Sequence, residues 1–266
     1  MKRASFFLII FFGLFLLFTY LLGKNAWHKL ERKEVAEIVD PKVLSSKSSD
    51  ETPSAGASGT PTMEKKGKYP IHKNITATVF WVGEPIGNGS SENNAYSAWD
   101  DQWQKNYGGF DDPYLRSGFY PNGFVPRENP FYLDLPYNDF DDNGVRKPEA
   151  SKVIPWASEK KWLDSESMLK NRWVKLIKNG IECYGQIEDS GPYEYDDSQY
   201  VFGNATPKNT LANNAGLDVS PAIRDCLKFT GSNNADNKVD WQFVEESEVP
   251  VGPWREIITR SQINWK

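Results

Sequence analysis

The sequence predicts a mainly β fold with short helices and long loops. Three observations carry that expectation: aromatic residues make up 14% of the chain, Gly and Pro recur throughout, and stretches with helical periodicity are scarce. The 266 residues also divide sharply by composition. The polar first quarter leaves roughly 200 residues, enough for one well-buried core.

Residues 1–3 (Met-Lys-Arg) precede an uncharged run, ASFFLIIFFGLFLLFTYLLG at 4–23. A run of about 20 apolar residues is long enough to span a bilayer as a helix. It reads as an N-terminal signal anchor. A cleaved signal peptide is the alternative, but its apolar region is normally shorter, about 7 to 15 residues, and ends at a small-residue cleavage site. Residues 24–68 read as a juxtamembrane segment followed by a tether rich in Ser, Thr, Gly, Pro and Lys. Such a composition cannot bury enough surface to fold. The expected arrangement is a single-pass membrane protein whose C-terminal domain, residues 69–266, is exported to the periplasm or the exterior.

Charge narrows the partners. Residues 1–68 hold 11 Lys/Arg and 7 Asp/Glu, whereas the remainder holds 20 and 29, a net charge of −9. Phosphate binding leans on Lys and Arg, so nucleic acid is not an expected partner of the domain. Sugars and cationic ligands fit better.

Within the domain, ITATVFWV (75–82) alternates as a strand and is followed by a Gly/Pro loop. Residues 96–106 predict a short helix ended before Gly108-Gly109, and 131–135 a further strand. Residues 173–177 and 181–188 predict a hairpin around Lys178-Asn179-Gly180. Ser220 with Pro221 behind it marks a helix start running to about Phe229. Residues 239–245 and 256–259 predict the last strands.

Candidate chemistry starts from what the domain lacks. The only histidines are His28 and His72, both placed before the folded domain gets under way. A Ser/His/Asp triad, a Cys/His pair and a His-based zinc site each need an imidazole, which leaves carboxylates as the acid and base. Asp189 stands at a predicted strand end, where Gly191 and Pro192 stop regular pairing. Its alternative role is to accept backbone N–H groups in the turn. Asp218, two residues before the Ser220 cap, reads chiefly as a carboxylate at a helix N-terminus. Asp139 to Gly144 opens like a calcium loop, but the twelfth position is Ala150, so no metal site is expected. No cofactor is expected either. Tyr184, Tyr193, Tyr195 and Tyr200, with Trp99, Trp103, Trp156 and Trp254, offer rings for sugar stacking or for ordinary core packing. Cys183 and Cys226 could be joined in an exported domain, or remain two buried thiols.

The segment Glu188-Asp189-Ser190-Gly191-Pro192, followed by Leu217-Asp218-Val219-Ser220 and a helix, resembles the double-psi β-barrel proteins of the rare lipoprotein A, expansin and membrane-bound lytic transglycosylase A type. In rare lipoprotein A the matching stretches read Asp-Arg-Gly-Pro and Ile-Asp-Leu-Ser. Ala77 to Gly83 resembles the first strand of that fold, and Phe131 to Pro136 the second. The resemblance implies a six-stranded double-psi β-barrel for 69–266, with Asp189 and Asp218 at one groove. It also implies a cell-envelope protein that binds peptidoglycan or a related polysaccharide. Asp189 would act as general acid in a lytic transglycosylase or glycosidase-like reaction, and Asp218, Glu188, Tyr184, Tyr193 and Tyr195 would bind substrate or shape the site. Ser190 stands where the family has arginine, and the family's histidine before the second strand has no counterpart. The alternative is a non-catalytic glycan- or protein-binding envelope module.

Overall fold

Eight strands and four short helices follow one another in the computed structural model, which describes residues 67–87, 90 and 93–262. The expected anchor at 4–23 and nearly all of the expected tether lie outside the described residues. Among the described residues, no helix is long and apolar enough to cross a membrane.

Six strands close into a barrel: β1 (Ile71–Val79), β4 (Tyr132–Leu135), β5 (Trp173–Lys178), β6 (Ile181–Ser190), β7 (Leu217–Val219) and β8 (Lys238–Val244). Around the barrel they run β1-β7-β4-β6-β5-β8 and back to β1. Two contacts are parallel, β1 with β7 and β4 with β6, and the rest are antiparallel. A two-stranded ribbon of β2 (Arg116–Ser117) and β3 (Tyr120–Pro121) stands apart. The helices are α1 (Trp103–Tyr107), α2 (Ala150–Val153), α3 (Ser198–Val201) and α4 (Pro221–Cys226).

Local chemistry accounts for the hairpin and the helix start. Asn179 and Gly180 join β5 to β6 with φ of 50° and 79°, the left-handed pair that suits the twist of a two-residue hairpin. Ser220 caps α4 by accepting a hydrogen bond from the Ile223 N–H at 3.2 Å, and Pro221 occupies the first turn. Helix α4 stops at Cys226, three residues short of the expected end. Helix α1 is shorter than the predicted 96–106, because residues 96–102 form turns, and it ends as expected at left-handed Gly108.

The strand expected at 256–259 is absent. The closed barrel has no free edge there, and Thr259 is held by a side chain instead. The Thr259 N–H donates to Gln186 Oε1 at 2.9 Å, and Gln186 Nε2 donates to the Thr259 carbonyl at 3.0 Å. One glutamine thus supplies the two bonds that a neighbouring strand would have made.

Inward-pointing side chains fill the barrel: Ala77 and Val79, Leu133 and Leu135, Val174 and Leu176, Leu217 and Val219, Val239 and Trp241 are all buried. Gly185 marks the tightest approach. A Cβ there would meet the Phe131 carbonyl oxygen at 2.6 Å and Ile223 Cδ1 at 2.7 Å. Backbone of a paired strand cannot withdraw without breaking the ladder, so Gly185→Ala should cost about 2–3 kcal/mol. A urea midpoint equal to that of the parent chain would contradict this.

His72 departs from its expected position outside the domain. It is part of β1, buried, and stacked on Trp241 with ring centroids 3.9 Å apart. Burial lowers its pKa to about 4. The unfolded chain therefore takes up a proton near pH 6.5 that the folded one refuses, so stability is lost as pH falls from about 6.5 to about 4. His72→Phe should flatten that acid limb in a series of thermal melts, and an unchanged slope would place its origin elsewhere.

Candidate functional site

Three aspartates and a threonine stand side by side across four neighbouring strands. The register pairs Thr78 with Asp218, Asp218 with Asp134, and Asp134 with Asp189. Adjacent strands lie about 4.8 Å apart, which sets the spacing of this row. Each residue is flanked by side chains that point into the barrel, so the row lies on the barrel's outer face. The last member depends on an irregularity. Between Leu133 and Asp134 the register with β6 shifts, so that Leu133 faces Ile187 but Asp134 faces Asp189. Glu188 is the extra residue. Bulges of this kind re-aim side chains next to functional sites.

The row forms the floor of a cavity of about 450 Å³. Glu84, from the loop after β1, adds a fourth carboxylate to its lining, and Trp81, Asn94, Tyr114, Tyr193 and Tyr195 contribute to the walls. The turn Gly191-Pro192, a cis peptide, closes one side. Gly191 lies hard against the row, since a Cβ there would stand 2.9 Å from Asp134 Oδ2.

These carboxylates differ in surroundings. Asp189 Oδ1 accepts from the Ala98 N–H at 2.7 Å and from the Ser190 N–H at 2.8 Å. Asp134 Oδ1 accepts from the Asp218 N–H at 2.8 Å, tying β4 to β7. The Thr78 hydroxyl donates to Asp218. Burial raises Asp218 to about 6 against the pull of that hydroxyl. Glu84 goes further, to about 8, through burial first and the neighbouring charge of Asp218 second. Asn94 Nδ2 reaches Glu84 Oε2 at 3.4 Å. Burial, then Asp218 and Glu84, also raise Tyr193 above its ordinary value. At neutral pH the cavity therefore holds a protonated carboxyl at Glu84 beside a largely ionised one at Asp218.

Of the residues singled out in the sequence, Asp189, Asp218, Tyr193 and Tyr195 line this cavity together. Glu188 is not among its lining residues. It is buried against Lys170, whose ammonium donates to Glu188 Oε2. Tyr184 packs with Trp173, Val249 and Trp254 instead. Trp99, Trp103, Trp156 and Tyr200 are fully buried, so the rings expected around a groove are mostly packing residues. The helix-terminus role considered for Asp218 gives way to its bond with Thr78 across the strand pair.

The calcium-like loop uses its oxygens internally. Asp139 accepts from Ser167 Oγ, the Met168 N–H and Arg146, while Asp141 Oδ1 accepts from the Asn143 and Val145 N–H groups. Cys183 and Cys226 are free thiols that lie within reach of each other. Proximity to Cys183 lowers Cys226, whose thiol donates to the Glu182 carbonyl at 3.9 Å, and burial raises Cys183.

Sequence reasoning missed Asp134 and Glu84. Asp134 had a signal: it is the one charged residue in the apolar strand FYLDL, where a carboxylate is rare. Glu84 sits in a Gly/Pro loop that gives no periodicity, and only folding reveals its burial. No protein-family model matches the chain, and no curated protein matches it significantly.

Proposed function

We propose that this chain is a membrane-anchored cell-envelope protein whose barrel, of double-psi type, binds peptidoglycan or a related glycan and cleaves it by carboxylate acid/base chemistry. The observation that carries the reading is the convergence of Glu84, Asp134, Asp189 and Asp218 on one cavity with proton affinities set apart. Carboxyl groups separated in this way divide into proton donor and charged partner. The topology supports the barrel type. β7 lies between the successive barrel strands β1 and β4, and β4 lies between the successive strands β6 and β7. Two such interleavings are what the double-psi resemblance calls for.

The roles follow from the surroundings. Glu84, protonated at neutral pH, donates to the glycosidic oxygen as the bond breaks, the role expected from sequence for Asp189. Asp189, whose Oδ1 accepts from two backbone N–H groups, faces the positive charge that develops on the sugar ring. Asp218, largely ionised, takes up the proton of the attacking hydroxyl. Tyr193 and Tyr195 supply ring faces and hydroxyls to position the sugar.

The test is to incubate the full chain with purified peptidoglycan and assay for soluble products. Release of anhydro or reducing sugars is expected. A chain that co-sediments with the wall material but releases nothing would instead be the binding module, and a chain that does neither would remove the glycan reading.

A further inference from the structure

Two stretches of the cavity wall hang on one buried tyrosine. Tyr132 opens β4 two residues before Asp134, and strand alternation puts both on the outer face of the barrel. Its ring is fully buried and packs edge-on against Phe80, Trp103 and Tyr107. Its hydroxyl accepts from the Val82 N–H at 3.0 Å and donates to Asp111 Oδ2 at 2.8 Å. The Asp111 N–H donates in turn to the Val82 carbonyl at 3.0 Å, so this pair holds both polar backbone groups of Val82. Arg116 completes the network, donating to Asp111 Oδ1 and, at 2.6 Å, to the Phe119 carbonyl. Burial pushes the Tyr132 phenol well above its ordinary value, so the hydroxyl keeps the proton that it donates. Tyr132, Val82, Asp111 and Arg116 do not line the cavity, but what they hold does. Val82 lies inside the turn that the Glu84 N–H closes on the Trp81 carbonyl at 2.9 Å, and Tyr114 lies in the chain between Asp111 and Arg116.

We infer that Tyr132, with Asp111 and Arg116, is a positioning residue of the proposed site: it fixes the turn that carries Glu84, and the segment that carries Tyr114, against the strand that carries Asp134. The inference rests on the acid/base reading above and goes beyond it by placing control of Glu84 outside the cavity. A buried N–H such as that of Val82 must be paired, and here the phenol pairs it. The charge-assisted bond from Arg116 holds Asp111, and Asp111 orients the phenol. Glu84 depends on this placement. Its titratable neighbours are Asp218 on β7 and Tyr193 in the turn after β6, and Asn94 bonds its carboxyl. A turn that drifts from β4 admits water to Glu84 and draws it away from Asp218, and each change weakens its hold on the proton.

Glu84 itself reports the outcome. Its titration can be followed on the full chain by carbon NMR of labelled glutamate carboxyls, with the signal assigned by its loss in Glu84→Gln. Tyr132→Phe removes only the hydroxyl, and Glu84, raised to about 8 in the parent, should then titrate lower by about one pH unit or more. The alkaline limb of glycan cleavage should move down with it. Leu176→Ala, on β5 and so across the barrel from β7, should lower stability and leave the Glu84 titration where it was. Should Tyr132→Phe not fold, Arg116→Lys gives the same readout with a smaller shift, since lysine keeps the charge but lacks the planar fork that bonds Asp111 and the Phe119 carbonyl together. A parental titration in the variant that folds overturns the inference. An equal shift in Leu176→Ala also overturns it, because the effect would then be one of stability alone. A chain that shows the shift but cleaves no glycan would remove the glycan reading and leave the positioning of Glu84 in place.

Discussion

Glu84→Gln should lower glycan cleavage by about 10²-fold or more while the barrel still folds, because general acid catalysis contributes about 10²–10⁴ and glutamine has nearly the same volume. The same substitution has a distinct thermodynamic signature. With its folded pKa raised to about 8, Glu84 keeps a proton that the unfolded chain loses near pH 4.5, so its contribution to stability falls as pH climbs through that window. Glutamine carries no such proton. The variant should be more stable than the parent at pH 8, even as it loses activity. For the parent, cleavage should be greatest between about pH 6, where Asp218 takes up its proton, and about pH 8, where Glu84 loses its own. Turnover by Glu84→Gln near the parental rate would return the donor role to Asp189, and Asp189→Asn would then be the inactive variant.

Lys170→Met should destabilise the domain by about 3–5 kcal/mol, because it leaves a charge buried without its partner. Lys170 and Glu188 are each 1% exposed at the side chain and form an ion pair. Burial alone would lower the Lys170 pKa, but Glu188 and Glu128 outweigh it and keep the ammonium protonated. Glu128, pushed up to about 7 by burial first and Glu188 second, lies in the same cluster. The pair fastens β6, immediately before Asp189, to the segment that enters β5. Chemical denaturation should show the loss, and adding Glu188→Leu to Lys170→Met should recover much of it, since removing both charges removes the desolvation penalty. If the double variant is no better than the single, the pair contributes through packing and not through charge.

Legibility from sequence followed the range of the interaction involved. The β5–β6 hairpin could be read because Asn179-Gly180 prescribes its turn and both strands alternate. The α4 start could be read because Ser220 and Pro221 act on their own backbone. By contrast β7, three residues long, is too short to show a period and exists because β1 and β4 hold it on either side. The strand expected at 256–259 had the right residue types, but a closed barrel left it no edge to join.

The site divides in the same way. The sequence by itself determined that the domain is mainly β and that Asp189 stands at a strand end. Residue type and local turn chemistry are enough for those statements. Only the tertiary structure decided which carboxylates meet. Asp134, Asp189 and Asp218 come from three strands separated by up to 84 positions, and they align because of barrel closure and a one-residue bulge. It also decided that Glu84 carries a raised proton affinity. That property comes from burial and a neighbouring charge, and neither exists before the chain has folded.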